Sequence, residues 1–177
     1  MTIKLTRYPG GYDWKEAQRR ALVTVGKKPI NPPTREWKEK SLKARHSHIR
    51  DLRFSFDLEG IPYWIAGHLV RHVHAQPYVR SQRNDRQSEY DREKAPQDAP
   101  VNMIWDMNAE ELLTIMNKRL CFQAHPKTRE VVKAMRDLVI EKCPEFEKEM
   151  VPMCVRCGGV CHEMFPCKEM EGNRCKG

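Results

Sequence analysis

"RFSFDLEGIPYWIAGHLVRHV", residues 53 to 73, changes its periodicity halfway along. Phe54, Phe56 and Leu58 alternate with polar neighbours, the period-two pattern of a strand with one buried face. Pro62 then stands where a first helical turn tolerates it. Ile61, Ile65, Leu69 and Val73 recur at helical spacing and predict the buried face of that helix. A strand that hands over to a helix calls for mixed α and β content. The helix ends in cations: His68, Arg71 and His72 lie three and four residues apart, one polar edge on an otherwise apolar element.

Outward from this stretch, the same reading gives a sequence of short elements. "MTIKLTRY" is a strand candidate. "DWKEAQRRALVTVGKK" reads as a helix capped by Asp13, with Glu16 completing a capping box and Trp14, Ala17, Ala21, Leu22 and Val25 as its stripe. "NPPT" breaks the chain, and Thr34 caps a second, very basic helix that runs to about Ala44. Residues 76 to 101 are polar, charged and punctuated by proline, so they read as a long loop of the kind that is functional or mobile. Asn108 caps a further helix, with Glu111 at the capping-box position and Leu112, Ile115, Met116 and Leu120 facing inward. Another helix follows Pro126, with Val132, Met135 and Val139 on one face, and stops before Pro144. There is no internal repeat.

The chain has 177 residues and a net charge of +8, from 32 Lys and Arg against 24 Asp and Glu. That length suits one domain with a small appendage. The apolar runs are too short to span a bilayer, and "MTIKLTRYPGG" lacks the apolar core of a signal peptide. The expected compartment is the cytoplasm. A basic balance favours anionic partners, though solubility alone also produces one. Position is more informative: no acidic residue occurs between Glu59 and Asp85, while Arg71, His72, His74, Arg80 and Arg83 all fall there. Such a run is either a solvated basic face or a cradle for phosphate or an imide edge, which the planar guanidinium fork suits.

The order of these residues resembles the signature of the flavin-dependent thymidylate synthases: an Arg-His-Arg triplet, a serine further on, and an arginine two residues after it. Arg71-His72, Ser81 and Arg83 match. "HSHIRDLRFSFDLEGIPYWIAGHLVRH" is similar to the family's run into the triplet, and "WDMNAEELLTIMNKRLCFQAH" to its asparagine-opened helix ending in a substrate-binding arginine. The similarity extends over roughly residues 40 to 145.

The resemblance implies an α+β domain, a central sheet flanked by helices, over residues 1–150, followed by a cysteine-rich tail over 151–177. It implies a homotetramer with sites shared among subunits. It also implies an enzyme that methylates deoxyuridine monophosphate (dUMP) at C5, with FAD as cofactor and methylenetetrahydrofolate and NADPH as co-substrates. His46, Asp51, Arg71, His72 and Asn108 then fall at flavin positions. His68, Arg71, Ser81, Arg83 and Arg119 fall at nucleotide positions, with Ser81 and Arg119 nearest the chemistry. Several positions depart from the pattern, among them His68, Gln76, Tyr78, Val79 and Asn84, and two more bear on the flavin. Val73 replaces the triplet's second arginine. Glu110 stands where the family has a flavin-binding arginine, which predicts weaker flavin binding. In such an enzyme neither Cys121 nor Cys143 is required as a nucleophile, and both read as buried structural thiols.

The tail, "CVRCGGVCHEMFPC", sets Cys154, Cys157, Cys161 and Cys167 at spacings that can close a tetrahedral zinc shell. His162 and Cys175 compete with Cys167 for the fourth place, and an iron–sulfur cluster or free thiols are the alternatives. Two other functions compete with the synthase: a related pyrimidine C5 hydroxymethylase with altered flavin use, and a nucleic-acid-binding zinc module. The fixed Arg71, His72, Ser81 and Arg83 spacing speaks against the last, since a phosphate-tracking surface needs no fixed spacing.

Overall fold

The computed structural model describes residues 1–81, 83 and 91–167, and for 170–171 and 174–175 the backbone alone. Four strands form its main sheet: β1 (Thr2–Arg7), β2 (Arg53–Pro62), β3 (Gln76–Val79) and β4 (Pro100–Asn108). Their order is β1-β2-β4-β3, and every pairing is antiparallel. The helices are α1 (Gly11–Val23), α2 (Arg35–Ala44), α3 (Tyr63–Leu69), α4 (Ala109–Arg119), α5 (Pro126–Lys142) and the single turn α6 (Met153–Arg156). A small ladder of β5 (Met170–Glu171) and β6 (Arg174–Cys175) follows.

The alternation read in Phe54, Phe56 and Leu58 holds, and all three are fully buried. β4 repeats it with Val101, Met103, Trp105 and Met107 on the same face. Leu112, Ile115 and Met116 of α4 and Val132, Met135 and Val139 of α5 belong to the same core. Burial of this apolar area, at roughly 25 cal/mol per Å2, is the main force that holds helices to sheet. Phe146, in a 3-10 turn over Pro144–Phe146, meets Phe54 edge-on at 5.2 Å and Trp14 of α1 at 6.1 Å. That contact joins α1, β2 and the turn after α5 at one end of the core.

Four expectations change. β2 extends to Pro62 because Gly60, at φ +66°, takes up a register shift between Leu58 and Ile61; the left-handed region favours glycine there. Ile61 is therefore a strand residue. Helix α3 ends at Leu69, so Val73 leaves the helical stripe and is 82% exposed. Helix α1 begins three residues early: its N-cap is Gly10, whose N–H donates to the Asp13 carboxylate at 2.7 Å, and Val25 lies beyond it, exposed. The expected loop of residues 76 to 101 holds β3 at one end and the first residues of β4 at the other. No helix among the described residues is long and apolar enough to cross a membrane.

Candidate active site

Helix α3 ends in two tight turns. The His72 N–H donates to the Leu69 carbonyl at 3.1 Å, and the Ala75 N–H to the His72 carbonyl at 3.1 Å. This path turns His72 inward, where it is buried, and leaves Arg71 and His74 exposed. The His72 ring lies 6.1 Å from that of Trp105 on β4.

Helix α4 supplies the other wall. The Asn108 side chain accepts the Glu111 N–H at 2.9 Å, as the sequence predicts for an N-cap. Glu111, itself buried, faces His72: its Oε1 is 3.2 Å from Nδ1. At the far end of α4, Arg119 donates from Nε to His72 Nε2 at 3.0 Å and from Nη2 to the His68 carbonyl at 3.1 Å. Glu111 and Arg119 are eight residues apart, roughly 12 Å along a helix axis, and one imidazole bridges them. His68 enters through its backbone, while its ring packs edge-on against Trp64 at 5.4 Å.

Burial pushes the Arg119 guanidinium below its ordinary pKa, and the nearby Arg71 charge adds to the shift. Among the described residues neither Arg71 nor Arg119 has an ion-pair partner. Other arginines are matched: Arg20 with Asp51 at 3.2 Å, Arg156 with Glu149 at 2.9 Å, and Arg50 with Glu110. Two neighbouring guanidiniums, one partly desolvated and neither paired with a carboxylate, make a place for an anion.

The remaining sequence candidates are spread more widely. Ser81 and Arg83 follow the edge strand β3, and Ser81 Oγ accepts the Arg83 N–H at 3.3 Å. His46 and Asp51 line a separate cavity of about 440 Å3 with Arg20, Trp37 and His48. There the rings of Trp37, His48 and His46 form a stacked ladder, at 5.2 and 5.9 Å. Arg71, His72 and Arg119 are not in its lining. The structure thus gathers His68, Arg71, His72 and Arg119, holds Asn108 at the opposite end of α4, and sets His46 and Asp51 apart. Read from sequence, Glu111 has no role beyond capping and Arg50 has none. Contacts between separate elements leave no spacing signal.

The expected zinc shell is not assembled. Among the described residues no group of three or more His, Cys, Asp or Glu is close enough to share a metal ion. The cause is local. Helix α6 turns Cys154 into the interior, where it is buried, and leaves Cys157 as the C-cap. Gly158 and Gly159, both at positive φ, then redirect the chain ahead of Cys161 and Cys167. The side chain of Cys175 lies outside the described residues.

Residues 85–145 match the sequence model of a family described as "Thymidylate synthase complementing protein". No curated protein matches the chain significantly in sequence. Two solved structures of the flavin-dependent thymidylate synthase ThyX from Helicobacter pylori, both with FAD and dUMP, share the fold. One has a TM-score of 0.66 at 16% identity, covering 85% of this chain and 97% of its own. The other has a TM-score of 0.64 at 16% identity, covering 85% and 98%. Across most of its length the chain is similar in fold to the flavin-dependent thymidylate synthases, and residues 85–145 carry the sequence match to the family model.

Proposed function

We propose that the chain methylates dUMP at pyrimidine C5, taking the carbon from methylenetetrahydrofolate, with FAD as its cofactor and NADPH as the electron donor. The observation that carries this reading is the cation pair of Arg71 and Arg119, without an ion-pair partner among the described residues, at the ends of α3 and α4 in a chain of this fold. Arg119 meets the pyrimidine, Ser81 and Arg83 the rest of the nucleotide, and Arg71 and His68 complete that wall.

The chain needs no carbon nucleophile of its own. Burial pushes the Cys143 thiol up to about 12 and also raises Cys121, so neither offers a ready thiolate. The protein's part is positioning and electrostatics. A bound flavin supplies the hydride. The cavity of His46 and Asp51 suits such a group: the Trp37, His48 and His46 ladder offers flat aromatic surface there, and Arg20 lends it a cation. Glu110, which the sequence sets against a diphosphate, has its charge matched by Arg50. The nucleic-acid alternative is not favoured, since its zinc knuckle is not formed among the described residues.

Arg83→Ala and Arg119→Ala should each weaken dUMP binding by roughly ten- to a hundred-fold, the worth of a charge-assisted hydrogen bond. Titration calorimetry measures this, and unchanged affinity in both variants removes the assignment. Flavin absorption bands in the purified or reconstituted protein test the cofactor directly.

A further inference from the structure

The reaction as proposed leaves one buried pair of titratable side chains without a task, Glu111 and His72. Glu111 occupies the helical position from which a glutamate ordinarily turns back to complete a capping box. Its carboxylate faces the imidazole of His72 instead.

The donors and acceptors in this chain admit one arrangement. Arginine Nε always carries a hydrogen and never accepts. The Arg119 Nε–H points to His72 Nε2 at 3.0 Å, so that nitrogen must present its lone pair. The ring proton is then on Nδ1, 3.2 Å from Glu111 Oε1, an acceptor. The opposite tautomer sets N–H against N–H at Arg119 and lone pair against carboxylate at Glu111. A doubly protonated ring repeats the first clash. The charged groups facing the ring are Glu111 and Arg119 from α4, with Arg71 beside it in sequence. The indole of Trp105 packs nearby from β4.

We propose that Glu111 is a positioning residue: it fixes the His72 tautomer, and His72 then orients the Arg119 guanidinium for the nucleotide. The proposal rests on the reading of Arg119 as the nucleotide-contacting arginine. With Nε held by His72 and Nη2 by the His68 carbonyl, the guanidinium is fastened along one edge. Its Nη1 has no protein partner among the described residues. A side chain already ordered in this way loses less rotamer freedom when a ligand arrives. Orientation of one binding group by a second, and of that by a third, is how outer residues tune other polar sites.

Two measurements test this separately from its premise. Nitrogen-15 NMR of the imidazole in the wild-type protein, assigned by the signal lost in His72→Gln, should show Nδ1 protonated and Nε2 bare at neutral pH. A proton on Nε2 overturns the proposal whatever the nucleotide does. Calorimetry with dUMP is the second. Glu111→Gln keeps an acceptor for Nδ1–H and should bind within about threefold of wild type, while Glu111→Ala should lose about tenfold. The alanine variant should also show a minor population of the ring protonated on Nε2, since the Arg119 Nε–H alone then favours the Nδ1 tautomer. Wild-type affinity in folded Glu111→Ala, or equal losses in the alanine and glutamine variants, overturns the positioning role. If the wild-type protein binds no dUMP, the nucleotide reading of Arg119 fails, and the ring spectrum alone decides the Glu111–His72–Arg119 arrangement.

Discussion

His48 shows how a single side chain can carry a pH dependence. Its ring stacks on Trp37, and its Nε2 is buried without a hydrogen-bond partner. Burial, and then the charge of His46, lowers its pKa from the ordinary 6.5. Below that value the unfolded chain takes up a proton that the folded chain resists, so His48 destabilises the fold as pH falls through and below 6.5. Above it both states are neutral and the effect vanishes. His48→Gln should therefore lose less stability than the wild type between pH 7.5 and 5.5, read from urea unfolding midpoints. Parallel pH profiles for the two proteins contradict this. At this scale the sequence announces residue types and hides their partners. The cations at 68, 71, 72 and 119 were legible as candidates from spacing and family likeness. The carboxylate that faces His72 was legible only as a cap, because a contact between α3 and α4 has no period.

Among the elements, α4 makes polar connections to several distant parts of the chain. Asn117 is 1% exposed, yet its Nδ2 donates to the carbonyls of Glu149 and Val151 at 2.9 and 2.6 Å. Its Oδ1 accepts from Arg45 Nη2 at 2.6 Å. Arg45 ends α2 in a left-handed conformation, and burial pushes its guanidinium down to about 10, with Arg156 adding to the shift. Asn117→Leu keeps the branched shape but leaves two carbonyls and Arg45 Nη2 without the amide, so it should cost at least about 3 kcal/mol in urea unfolding. A loss under about 1 kcal/mol means that water replaces the amide. Helices were the legible elements: α2, α4 and α5 begin and end close to where caps and prolines put them. Strands β3 and β4 were not read. Pro77 sits inside β3, tolerated because β3 is an edge strand. In β4 the buried positions include Met103, Trp105 and Met107, and methionine favours helix as readily as strand. The cysteine spacing pointed to zinc, and the short helix at Met153–Arg156 explains why spacing alone misled: it directs Cys154 to the core.

At the scale of the whole molecule, the sheet has helices on the core side and an opposite face where Tyr78 and Ile104 are 57% and 46% exposed. Asp57, Asn102 and Arg80 line a groove beside them. An open sheet face, and a candidate site whose Arg71 and Arg119 have no ion-pair partner among the described residues, both fit a protein that completes itself by assembly. Sedimentation at micromolar concentration should give a tetramer of the 20.9 kDa chain. A clean monomer counts against the shared-site mechanism. The contacts of Asn117 set an order of events as well. The amide on α4 finds its carbonyls 32 and 34 residues later in the chain. During synthesis, the helix that carries Arg119 therefore emerges long before the segment that satisfies it. The hydrogen bonds that Asn117 makes near the end of that helix can form only once residue 151 has left the ribosome, so a late part of the chain ties this end of α4 down.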